Sequence, residues 1–65
     1  MPASEAPAPH YEPAMARVVH AASAAVYRDL GQPEVAAAHD EAYFAHYTGD
    51  PRAATLSEYA FSISN

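Results

Sequence analysis

From Pro13 onward the apolar positions fall into helical rows. Met15, Val19, Ala22, Val26 and Leu30 recur at spacings of four, three, four and four, the repeat of one helical face. Val18 and Ala25 widen that face, while Arg17, Ser23 and Arg28 lie largely elsewhere. The pattern predicts a helix over about 13–30. Proline suits its first turn, Gly31 supplies a stop, and Pro33 prevents continuation. Gln32-Pro33-Glu34 then opens a second helix with a narrow stripe of Val35, Ala38, Ala42 and Ala45, and with Phe44 and Tyr47 at its edge. Its alanines permit close approach to the first helix, and the short connector makes the two antiparallel neighbours.

Thr48-Gly49-Asp50-Pro51 is the clearest punctuation in the chain. Gly49 ends the second helix, and Asp50 can cap a short third one running from Pro51 to Leu56 or Ser57. The closing stretch YAFSISN changes period: Tyr59, Phe61 and Ile63 alternate with Ala60, Ser62 and Ser64. Strict alternation predicts an extended tail, and a lone strand must find hydrogen-bond partners in water, another chain or a cleft. At the other end, four of the six prolines fall within Met1–Pro13, which predicts a disordered or polyproline-like arm. The expected fold is all-α: a small antiparallel hairpin plus a short third helix. Its parts are an arm (1–11), a helical docking domain (12–57) and an extended C-terminal tail (58–65).

Composition changes the picture in one respect. Hydrophobic residues make up 51% of the 65 positions, but alanine dominates them, with two leucines and one isoleucine. Alanine favours helix yet removes little apolar area from water, at roughly 25 cal/mol per Å². Helices form readily here and a core does not, so the chain is expected to be weakly stable alone or completed by another protein. The net charge of −5, with three arginines and no lysine, disfavours phosphate backbones and so nucleic acid. Cysteine is absent, which excludes disulfides and thiolate chemistry. No apolar run is long enough for a transmembrane helix, and the N-terminus lacks the features of a secretory signal. A cytoplasmic location is the default expectation.

Candidate chemistry is sparse. His39 and His46 share a face of the second helix with Tyr43. Two turns hold the histidines about 10.5 Å apart along the axis, too far for one helix to bring both to a single ion. His39 with Tyr43, or His20 with a histidine of the second helix, could share a metal only with help from acids, so no metal or cofactor is assigned. Protonating all four histidines would move the charge from −5 toward −1. No Ser-His-Asp grouping, phosphate loop or dinucleotide fingerprint is present, and the chain is read as no enzyme. Tyr43, Phe44, Tyr47 and Tyr59 are the candidate partner-binding residues, since tyrosine buries area at low entropic cost.

Two resemblances add to this reading. Leu30–Ala54, with Gly31 before a helix, Ala36 within it and a Gly-Asp-Pro turn after it, resembles part of a tetratricopeptide repeat, which implies a helical hairpin needing neighbours. The C-terminal third, Thr48-Gly49-Asp50, Thr55-Leu56-Ser57, Tyr59 and an apolar/serine tail, resembles the precursor peptides of split borosins. That resemblance implies a helical leader docking on a separate SAM-dependent methyltransferase. The enzyme would N-methylate the backbone of an extended core, with Phe61, Ser62, Ile63 and Ser64 as the candidate modified positions. The first functional expectation is thus a precursor peptide whose tail is substrate. The second is a small non-catalytic accessory subunit or adaptor that docks its hairpin and tail on a larger protein.

Overall fold

A computed structural model describes residues 11–64. The predicted arm, Tyr11 apart, and the final Asn65 lie outside them. The described chain is three helices: α1 (Pro13–Asp29), α2 (Pro33–Thr48) and α3 (Ala53–Ile63), with no strand among the described residues. The all-α expectation holds.

The helix ends follow from a few residues. Pro13 and Pro33 occupy the first turns of α1 and α2, where the missing N–H has no intrahelical partner to lose. Both helices close with a left-handed glycine, Gly31 at φ +74° and Gly49 at φ +72°. After α1, Gln32 N–H donates to the Tyr27 carbonyl at 2.9 Å and Gly31 N–H to that of Arg28 at 3.1 Å. After α2, Asp50 N–H donates to the Ala45 carbonyl at 2.8 Å. These are the bonds that satisfy orphaned terminal carbonyls.

In the α2–α3 turn the Asp50 carboxylate accepts the Arg52 N–H at 2.8 Å and the guanidinium at 2.9 Å. Side-chain and backbone hydrogen bonds from Arg52 hold that carboxyl below its ordinary range. The third helix therefore starts at Ala53, later than the Pro51 expected.

Its far end requires a larger correction. The extended tail predicted for 58–65 is absent from the described residues, because Glu58–Ile63 continue α3. The alternation of Tyr59, Phe61 and Ile63 is real, but Leu56, Ala60 and Ile63 also recur at four and three, a helical row. That row packs on Ala38 and Ala42 of α2, and burial selects the helical solution over the extended one.

The helices run up, down, up, with α2 central. Its predicted stripe is largely the observed one: Ala38, Ala42 and Ala45 are buried and Val35 half-buried. The apolar face predicted on α1 is a face, but it points outward. Met15, Val18, Val26 and Leu30 are 53–64% exposed and Val19 of the predicted row is half-buried, while α1 turns Ala16, His20 and Ala24 inward. An amphipathic helix ordinarily buries its apolar side; here the inward side holds two small residues and an imidazole. The buried hydrophobic residues are all alanines, and the largest fully buried side chains are His20 and His39.

Candidate functional site

The middle of the bundle is a chain of polar side chains. His20 on α1 and His39 on α2 meet nitrogen to nitrogen, Nδ1 to Nδ1 at 2.8 Å. The outer nitrogens reach two serines of α3: His20 Nε2 lies 2.7 Å from Ser57 Oγ, and His39 Nε2 lies 2.6 Å from Ser64 Oγ. Ser57 and Ser64 are two helical turns apart, about 10.5 Å along the axis, and the imidazole pair spans that distance. Phe61, midway between them, covers both rings with centroids at 4.9 Å from His20 and 5.6 Å from His39. Tyr27 stacks on His39 at 5.8 Å, and its hydroxyl donates to the Ser64 carbonyl at 2.9 Å.

The direction of the chain follows from one bond. The Ser64 hydroxyl donates to the Ala60 carbonyl, which can only accept. Ser64 has no second hydrogen, so His39 Nε2 must be the donor to Ser64 Oγ. A neutral imidazole carries one hydrogen, so His39 Nδ1 accepts from His20 Nδ1–H. His20 Nε2 is then bare and accepts from the Ser57 hydroxyl. All the hydrogens point from Ser57 toward Ala60, and the two histidines are opposite tautomers.

Burial disfavours charge on this pair. Both imidazoles are fully enclosed. Desolvation, then repulsion from His39 and His46, pushes His20 down from 6.5 to about 4. Desolvation also lowers His39, with the nearby Asp40 carboxylate opposing. That carboxylate is engaged by Arg28 at 2.7 Å. His46 stacks on His20 at 5.9 Å, and its Nε2 is buried with no hydrogen-bond partner among the described residues.

Ser57, His20 and His39 have the order of nucleophile, base and orienting group. Among the described residues nothing supplies the part that would complete such a site. Ser57 lies inside α3, where backbone N–H groups are spent on the helix and cannot form an oxyanion hole. Among the described residues no group of three His, Asp or Glu is placed to hold a metal ion. The relay is suited to joining three helices and fixing their register.

The sequence-derived site residues are scattered over this frame. Phe44, Tyr47 and Tyr59 are exposed, Tyr43 is half-buried, and Tyr43 packs against Phe44 and Tyr47 at 5.2 and 6.2 Å. Arg17 lies over the Tyr47 ring at 5.7 Å. Of the four candidate modified positions only Ser62 is exposed; Phe61, Ile63 and Ser64 are half-buried in the bundle. Sequence reasoning linked His20 with a histidine of α2 but gave neither Ser57 nor Ser64, the latter taken as a candidate modified position, a part in holding the histidines. Their signal is the row Ser57, Phe61, Ser64, again at four and three.

No protein family matches the chain. No curated protein and no solved structure matches it significantly.

Proposed function

We propose that the protein is a non-catalytic interaction module that docks α1 on a larger protein. The outward apolar row of α1 supports this reading: Met15, Val18, Val26 and Leu30 stand in solvent, with Ala22 between them, on the side facing away from the bundle. Five acidic residues, Glu12, Asp29, Glu34, Glu41 and Glu58, are also exposed. The partner that fits is a protein with an apolar groove rimmed by lysine or arginine, whose charges complement a chain of net charge −5. Phe44 and Tyr47 offer a secondary contact. Phe44 borders a shallow α2–α3 groove of about 410 Å³ that Glu41, Thr48, Arg52 and Leu56 also line.

A free, extended substrate tail fits this geometry less well. An enzyme could thread Tyr59–Asn65 only after the second half of α3 had unwound and the relay had lost Ser64.

The test places a photo-crosslinking residue at Val18, and at Glu34 as a control, in the native host. A single crosslinked partner at Val18 should then bind the purified chain, and Val18→Asp with Val26→Asp should weaken it by at least about 2 kcal/mol. Unchanged affinity would overturn the assignment of this face. A tail altered in mass would overturn the function itself in favour of the precursor reading.

A further inference from the structure

We propose that acidification opens the bundle at α3, releasing it as a lid from the His20–His39 pair while α1 and α2 stay paired. The reason lies in counting hydrogens along the relay. At neutral pH each nitrogen–nitrogen or nitrogen–oxygen contact holds one hydrogen. A first added proton fits on His20 Nε2, provided that Ser57 turns its hydroxyl away and accepts instead. A second has only His39 Nδ1 to occupy. There it would face the His20 Nδ1–H across 2.8 Å, two donors head to head, and the central bond becomes a repulsion.

The surroundings offer no relief. α1 presents Tyr27 to the pair, and α2 presents His46, a group of like sign when charged. α3 presents Ser57, Phe61 and Ser64, none of them anionic. Asp40, the acid acting on His39, is engaged by Arg28. The repulsion itself lies between α1 and α2, which the Arg28–Asp40 pair and the Arg17–Tyr47 contact hold together on either side of it, so the charged pair gains water where α3 covers it. α3 is the shortest helix, 11 residues against 17 and 16. It rests on α2 through Leu56, Ala60 and Ile63 and meets α1 through the His20–Ser57 bond, the Phe61–His20 ring contact and the Tyr27 hydroxyl's bond to the Ser64 carbonyl. α1 and α2 are joined by the glycine-closed turn at Gly31. The inference is independent of what docks on α1.

Amide hydrogen exchange by NMR on the full chain, corrected for intrinsic rates, tests it. His20 titrates near 6.5 when exposed and near 4 when enclosed. Its contribution alone should raise the opening of α3 about 25-fold between pH 7 and pH 5. Amides of Leu56–Ile63 should lose protection by that factor, while those central to α1 and α2 change several-fold less. Equal loss in all three helices would overturn the proposal, as would unchanged α3 protection. The double variant His20→Leu with His39→Leu should abolish the pH dependence, and its persistence in a folded variant would equally overturn the idea. Should that variant not fold, the comparison of helices within the wild-type chain still decides. Asp50→Asn controls for the turn carboxylate and should leave the response intact.

Discussion

Replacing Ser64 by alanine isolates the energetic value of the relay. His39 has no exposed surface, and Ser64 Oγ is the acceptor for its Nε2–H at 2.6 Å. Removing the hydroxyl leaves a buried donor without a partner, which costs about 1–3 kcal/mol. Alanine is the better helix former by a few tenths of a kcal/mol, so the net loss should be about 1–2 kcal/mol. In a chain of this size each kcal/mol moves the melting temperature by about 4–8 °C. Ser62, two residues earlier and exposed, is the internal control; its alanine variant should stay within about 0.5 kcal/mol of wild type. Thermal melts followed by circular dichroism at pH 7.5 give both numbers. Equal melting of the two variants would refute the directed hydrogen-bond chain, and the assignment of donor and acceptor would fail with it.

Other outcomes follow from the same geometry. Ring ¹⁵N shifts at pH 7.5 should show His20 protonated at Nδ1 and His39 at Nε2; the same tautomer at both would break the chain. Because burial depresses His20 from 6.5 to about 4, the unfolded state binds more protons between those values. Stability should be full above pH 6.5 and fall as pH drops toward 4. His20 accounts for at most about 3 kcal/mol of that fall, read from urea midpoints across the range. Gly49→Ala should cost about 1 kcal/mol in the same denaturation assay. A Cβ there meets nothing within 4 Å, so the left-handed φ is the whole cost.

The helix boundaries were legible because proline and glycine act locally. Pro13, Pro33, Gly31 and Gly49 place all four ends of α1 and α2 within a residue by chemistry of their own. The fate of Tyr59–Ile63 was not local. The segment satisfies a two-residue and a helical repeat together, and the choice depends on Ala38 and Ala42 lying opposite. The outward turn of α1 was hidden for a related reason. Hydrophobic periodicity reports a face without saying which way it points, and the inward residues Ala16, His20, Ala24 and Tyr27 are unremarkable in a hydropathy pattern. The relay was half visible. Histidines draw notice as possible ligands, whereas serines inside an apolar segment read as spacers until a partner for each ring nitrogen is sought.

The alanine interior has a thermal consequence. Apolar surface exposed on unfolding raises the heat capacity by about 0.45 cal/mol/K per Å², and methyl groups supply little of it. The heat-capacity increment should therefore lie below the roughly 12–15 cal/mol/K per residue of ordinary domains. A small increment flattens the curve of free energy against temperature. Such a chain gains little from cooling and resists cold denaturation. Its calorimetric trace should show a post-transition baseline displaced only slightly from the one before it.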